Sequence, residues 1–211
     1  MPLLLELFKG TGSAGKAFKG EVISVDIESK FKPDINEDIL KLKYKELPTP
    51  DYIWASPPCN TFSLMSVTTA KNFNPNVPQR QRNSDTMRPF TPSARLGDKL
   101  LKRTIEIILY FKKKNPKLKW VIENPHGTMW KSPILKGLPK YHREKAYYCN
   151  YSDSRTKPTD FFSNVKLNLK DSVCKGTALA AGMSMCDKYK IPPKLMKDIY
   201  RQLTKSNAQL V

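Results

Sequence analysis

Residues 51–60 read Asp-Tyr-Ile-Trp-Ala-Ser-Pro-Pro-Cys-Asn: a short apolar run, two prolines, then a cysteine. Proline fixes φ and cannot donate to a sheet ladder, so Pro57 and Pro58 end the strand and stiffen the turn after it. Cys59 is therefore presented from a rigid position at the carboxyl end of a strand, where open α/β sheets place their ligands. A thiol held there can be a nucleophile, although the same turn taken alone fits an inert loop cysteine. A second strand-end group comes from Trp120-Val-Ile-Glu-Asn-Pro125, which brings Glu123 to the same rim. A lone glutamate reads as a surface carboxylate or a helix cap. Beside a strand-end cysteine and a glycine turn it becomes a candidate site residue.

The elements that position these groups can be placed from pattern. Leu3–Phe8, Val22–Val25, Tyr52–Ala55 and Trp120–Ile122 read as buried strands, and Tyr147–Tyr151 and Asp160–Ser163 as shorter ones. Ser13–Phe18 reads as a short helix. Asp38–Lys43 forms a short helical or irregular piece. Leu100, Leu101, Thr104, Ile105, Ile108 and Leu109 recur at helical spacing and predict an amphipathic helix over 98–114. Leu195, Ile199 and Leu203 line a C-terminal helix over 191–206 opened by Pro192-Pro193. Strands alternating with helices argue for a mostly parallel sheet. The 211 residues fit one domain. Residues 60–97 are polar and proline-punctuated, which predicts a long loop, either disordered or functional.

The first strand runs into Gly10-Thr11-Gly12-Ser13-Ala14-Gly15 and then a helix, and the second ends at Asp26. Glycines permit a tight turn and close approach of a ligand. A strand-end acid can accept hydrogen bonds from ribose hydroxyls, so the pair suggests an adenosine-containing cofactor. The turn lacks the Gly-Lys-Ser/Thr ending of a P-loop.

Lys and Arg number 37 against 19 Asp and Glu, a formal net charge of +18 that attracts polyanions, nucleic acid foremost. No apolar run is long enough to span a membrane, and Leu3–Leu7 reads as a strand without the charged lead of a signal peptide. An intracellular, non-secreted protein is expected. Cys59, Cys149, Cys174 and Cys186 form no Cys-x-x-Cys pair and only His126 and His142 accompany them, which argues against zinc. The intracellular setting argues against disulfides.

Leu7-Phe8-Lys9-Gly10-Thr11-Gly12, Asp26, Ser56-Pro57-Pro58-Cys59 and Glu123-Asn124-Pro125, in that order and spacing, resemble the cytosine carbon-5 DNA methyltransferase family. Residues 3–165 carry the resemblance. Tyr148-Cys149-Asn150-Tyr151, Lys157-Pro158-Thr159-Asp160 and Ser163-Asn164 resemble the short methyltransferase-like proteins of phages and large DNA viruses. The resemblance implies a Rossmann-like methyltransferase fold with a mostly parallel central sheet and helices on both faces. It implies S-adenosylmethionine held by Phe8, Gly10, Thr11, Gly12, Asp26, Ile27, Asp38, Ile39 and Pro57. It implies Cys59 as the nucleophile toward carbon-6 of a flipped cytosine, Glu123 as the partner of ring nitrogen 3, and Arg155 in the catalytic centre. For a viral protein it places the enzyme in the host cytoplasm or nucleus.

Residues 60–97 match the family's mobile catalytic loop, and with it Asn60, Ser63, Lys71, Arg80, Arg82, Arg88 and Arg95 are expected at double-stranded DNA, together with Lys157. The same composition also fits a solvated loop. Three departures stand out. Ser13 occupies the place of a second glycine. The family's Gln-x-Arg-x-Arg strand is absent, Arg155-x-Lys157 being the nearest candidate. Only about 25 residues separate Asn164 from the final helix, leaving 165–190 as a reduced recognition region. A minimal enzyme follows, with low selectivity, a short recognition context, or a partner that supplies specificity. The rival expectations are an RNA (tRNA) cytosine methyltransferase and a catalytically degenerate nucleic-acid-binding module. Oligomeric state is left open.

Overall fold

The computed structural model describes residues 1–69, 72, 74, 81–176 and 183–205, with the side chains of Met65 and Met185 left aside. Its strands are β1 (Leu3–Leu7), β2 (Glu21–Asp26), β3 (Ile35–Asn36), β4 (Tyr52–Ala55), β5 (Val67–Thr68), β6 (Arg82–Asn83), β7 (Lys119–Pro125), β8 (His142–Tyr147) and β9 (Pro158–Ser163). The helices are α1 (Ser13–Ala17), α2 (Pro92–Lys114), α3 (Met185–Tyr189) and α4 (Pro193–Lys205). Seven strands form one sheet in the order β3-β2-β1-β4-β7-β9-β8, and β5 and β6 pair separately. The first five run parallel, and β9 lies antiparallel between β7 and β8.

β1, β4 and β7 are buried on both faces, which is why they read as near-continuous apolar runs rather than alternating ones. Leu5, Leu7, Ile53 and Ile122 face α2 through Leu101, Ile105, Ile108 and Phe111. Leu4, Trp54, Val121 and Phe161 face the other way, onto Ala14 of α1 and Leu195, Met196, Ile199 and Leu203 of α4. The expected α/β architecture with helices on both faces is present. The carboxyl ends of β1, β2, β4 and β7 therefore meet along one rim.

Three local expectations need correction. The helix predicted over 98–114 begins at Pro92. Thr91 caps it by accepting from the Ala94 N–H at 3.1 Å, and Pro92 sits at the first helical position. Its first turns are polar, so periodicity did not find them. Tyr148–Tyr151 is a 3-10 turn, and the strand is His142–Tyr147, whose charged side chains belong to an edge strand. Asp38–Lys43 is the irregular alternative of the two expected, a turn that the Asp38 carboxylate caps by accepting from the Leu40 N–H at 2.9 Å. Cys149 and Cys174 are joined by a disulfide, Cα to Cα 6.0 Å, that pins the chain after β9 to the turn after β8. An intracellular setting argues against such a bond, yet the fold brings the two residues within bonding geometry regardless of compartment.

The 60–97 stretch is not a featureless loop. Arg82 is fully buried and donates to the carbonyls of Thr61, Met87 and Ala94, to the Thr61 hydroxyl, and to Asp98 at 2.7 Å. Its guanidinium also lies 4.2 Å from the Phe62 ring centroid. The expectation that Arg82 meets phosphate is overturned, because every nitrogen of its fork is already engaged inside the protein. Arg88 and Arg95 are exposed as a phosphate contact requires, and so are Asn60 and Ser63. Lys71 and Arg80 lie outside the described residues.

Candidate active site

A cavity of about 310 Å³ opens along the rim. Its walls bring together Phe8, Gly10, Thr11, Asp26, Ile27, Pro57, Cys59, Asn60, Glu123 and Lys157 from the sequence-derived set. At one end lies the glycine turn. Phe8 and Gly10 take φ of 58° and 49°, so the chain turns on left-handed backbone directly after β1. Gly12, at φ 67°, begins α1 without lining the cavity. The Asp26 carboxylate accepts from the N–H groups of Gly10 and Glu28, both at 2.8 Å, which fixes the turn and leaves lone pairs for a ligand. Ser13, where a second glycine was expected, accepts from the Ile191 N–H at 3.1 Å and ties the turn to the segment ahead of α4.

Sequence reasoning missed Glu6 on this wall. It is 2% exposed; Oε1 accepts from the Gly15 N–H at 3.2 Å, while Oε2 has no hydrogen-bond partner among the described residues. Burial raises its pKa from 4.5 to about 7, against lesser opposing effects from backbone N–H groups and Lys9. The signal was a lone glutamate inside an otherwise apolar strand. Because the folded-state pKa is the higher, the contribution is full below pH 4.5 and is lost as pH rises through 7. A loss of roughly 3 kcal/mol is expected across that window, and Glu6→Gln should flatten it. Urea midpoints of the cofactor-free protein at pH 5 and pH 8 measure both.

At the other end Cys59 follows the two prolines. Asn124 holds that turn, its buried Nδ2 donating to the Pro57 carbonyl at 2.9 Å. Asn124→Ala should lower stability by about 2 kcal/mol. Misplacing the thiol should also slow any reaction there ~10-fold, read from initial rates beside urea midpoints. Glu123 is buried, and burial raises its pKa, with Lys157 and the Ser56 hydroxyl opposing. The Cys59 thiol is pushed up by burial first and by Glu123 second, while Lys157 pulls it down. Lys157 is 8% exposed, and its Nζ donates to the Lys188 carbonyl at 2.9 Å and lies 5.1 Å from the Tyr148 ring centroid. Burial lowers its own pKa, and Glu123 and Cys59 raise it. A thiol, a carboxyl and an ammonium thus share one pocket.

Arg155 does not join them. Its guanidinium pairs with Asp153 and donates to the carbonyls of Asp187, Lys188 and Lys190, so it fastens the segment that carries the cavity-lining Tyr189 and Ile191. The assignment of Arg155 to the catalytic centre is corrected accordingly. Ile39 lies in the core and, like Asp38, does not line the cavity. Among the described residues no group of three or more His, Cys, Asp or Glu side chains could hold a metal, and no helix is long and apolar enough to cross a membrane.

No protein-family model matches the chain. It is 31% identical over 157 residues to a protein named "Probable DNA (cytosine-5)-methyltransferase" from Frog virus 3 (isolate Goorha), covering 71% of this chain. The chain spans 64% of that curated relative's length. A protein described as a "putative DNA modification methyltransferase" encoded within an E. coli prophage superposes with a TM-score of 0.51 at 14% identity, over 84% of this chain and 53% of that one. The S. pombe Dnmt2 methyltransferase superposes with a TM-score of 0.50 at 14% identity, over 80% of this chain and 53% of that one. The sheet order, the rim cavity and these superpositions define a Rossmann-like methyltransferase fold. Within that class the chain is a relative of the cytosine carbon-5 DNA methyltransferases.

Proposed function

We propose that the protein is an S-adenosylmethionine-dependent DNA cytosine-5 methyltransferase acting inside the cell on double-stranded DNA. One observation carries the reading: Cys59, Glu123 and Lys157 line the same cavity as the glycine turn and Asp26. The cofactor fits the residues present. The left-handed Phe8–Gly10 backbone, the lone pairs of Asp26 and the orphaned Glu6 Oε2 offer acceptors and close backbone approach at one end. Exposed Ile27 and the aromatic Tyr189 offer apolar surface beside them. When bound, the cofactor supplies an electrophilic methyl group.

Carbon-5 of cytosine is a poor nucleophile, and the chain's residues change that. The Cys59 thiolate bonds to carbon-6, and the carbon-5/carbon-6 π pair is drawn toward ring nitrogen 3. Protonated Glu123 donates to that nitrogen and stabilises the charge. The ring pair at carbon-5 then takes the methyl group as its bond to the donor sulfur breaks, the bonding pair staying on that sulfur as a neutral thioether. Loss of the carbon-5 proton to water re-forms the double bond and expels the Cys59 thiolate. The buried Lys157 ammonium favours the thiolate, and Arg155-x-Lys157 is the nearest sequence counterpart of the family's absent arginine strand, although a lysine lacks a guanidinium's planar fork. Reaching carbon-6 requires the base out of the duplex, at a few kcal/mol of unstacking. Exposed Arg88 and Arg95, with Asn60 and Ser63 beside Cys59, are suited to hold the strand, and the +18 charge adds salt-sensitive affinity. Specificity is low or short, or supplied by a partner. The test is transfer of labelled methyl to unmethylated duplex DNA, with nucleoside mass spectrometry of the product. Label in RNA alone would favour the RNA reading. Cofactor binding without transfer to either would favour a binding module.

A further inference from the structure

The surface past the end of β7 takes no part in the steps above. There His126 and Trp130 meet Arg143 of β8 and Asp160 of β9. The Asp160 carboxylate is 2% exposed; it accepts from Arg143 at 2.9 Å and faces His126 Nδ1 at 3.0 Å. So fixed, the Arg143 guanidinium lies 4.7 Å from the Trp130 ring centroid, and the Lys131 Nζ 5.6 Å from it. Trp130 is 44% exposed, whereas Trp54 and Trp120 are 2% and 0% exposed. Beside it a depression of about 340 Å³ is lined by His126, Arg143 and Lys145, with the carboxylates of Glu144, Asp160 and Asp171.

This ledge is joined to the loop that bears the nucleophile. Thr128 donates to the Phe62 carbonyl twice, from N–H at 2.7 Å and from Oγ1 at 2.9 Å, and the Phe62 N–H donates to the Cys59 carbonyl at 2.9 Å. Gly127 is bare where a Cβ would strike the Phe62 carbonyl, so the two backbones pack directly. Three residues from Cys59 to Phe62 and two from Thr128 to Trp130, at ~3.5 Å each, keep the Trp130 backbone within about 20 Å of Cys59. That is roughly six nucleotide steps of ~3.4 Å along a strand.

We propose that Trp130, held by Arg143 and Lys131, is a stacking platform for a nucleotide flanking the target base. The chemistry is that of sequence-tolerant strand binding. An indole offers its face to any base, and adjacent cations meet the phosphates. The platform rests on the nucleic-acid substrate proposed above, and it supplies affinity where a reduced recognition region offers little.

Trp130 is the one exposed tryptophan of three, so intrinsic fluorescence reports on it directly. Titration with an unlabelled oligonucleotide should quench the exposed-indole emission, and Trp130→Phe should abolish that response. Trp130→Ala should raise the oligonucleotide Kd and the KM for DNA about ten-fold, and Trp130→Phe should restore both to within about three-fold of wild type. Unquenched emission with unchanged Kd in Trp130→Ala overturns the platform. So does quenching by polyglutamate and not by the oligonucleotide, which would mark a protein-docking surface. The titration needs no methyl transfer. A wild type that binds and quenches but transfers nothing fails the proposed activity alone, and one that transfers methyl without quenching fails the platform alone.

Discussion

Cys59→Ala is expected to lower methyl transfer by on the order of 10⁴-fold or more, since no other thiol lines the cavity. Cofactor should still bind, because the glycine turn and Asp26 lie at the opposite end. The pH profile carries more information than the loss itself. The proposed reaction needs the proton off Cys59 and on Glu123, the reverse of the ordinary order of a thiol and a carboxylic acid. Burial raises both groups, so the competent form is a pair holding one proton between them. Activity should rise with pH as the pair loses its first proton and fall as it loses its second. Glu123→Gln should lower the rate ~10²-fold and remove the falling limb. It should also move the rising limb to higher pH, because the buried thiol then ionises alone, without a carboxyl to share the first proton loss. Initial rates across pH 5.5–9.5, on wild type and variant at saturating DNA, are the measurement. A falling limb that persists in the variant would assign it to some other group, Lys157 being the nearest.

Arg82→Met should destabilise the protein by about 3–5 kcal/mol, the usual consequence of removing one partner of a buried ion pair. For a chain of this size that corresponds to a fall in Tm of about 10 °C. The substitution strands Asp98 and the carbonyls of Thr61 and Ala94, so neighbours on both sides of the loop lose their anchor. Calorimetry tests the stability and salt-dependent DNA binding tests the role. Arg88→Ala and Arg95→Ala should each reduce the salt slope by about 1. Arg82→Met, refolded at low temperature, should leave it unchanged.

The contrast between Arg82 and its neighbours marks where sequence reading stopped. The strands with glycine, proline and acid endings were legible, because each residue type has few uses at a strand end. Cys59, Glu123, Asp26 and the Phe8–Gly12 turn were named from those endings, and all but Gly12 line one cavity. Charge alone was poor guidance. Arg82, Arg88 and Arg95 look alike on paper, and only packing separates the buried one from the exposed two. Arg155 and Lys157 sit two apart, yet one is a strut and the other reaches the pocket. Glu6 and Trp130 went unread because an acid within a strand and an aromatic in a loop have ordinary explanations until burial is known. Edge strand β8 was missed because its side chains have no alternating pattern to show.

The place of β9 has a consequence for how the molecule assembles. It is the last strand of the sheet along the chain, yet it occupies the slot between β7 and β8, registering Glu123 against Phe161 and Lys145 against Asp160. During synthesis β7 emerges first and must keep an open edge while β8 and the following turn are made. Lys157 reaches the pocket only when β9 slides into that slot, and the carbonyl of Lys188 that holds it leaves the ribosome later still. An incompletely synthesised chain therefore carries the Cys59 turn without its cation, and the edge of β7 stays open to pairing with another chain until β9 fills it.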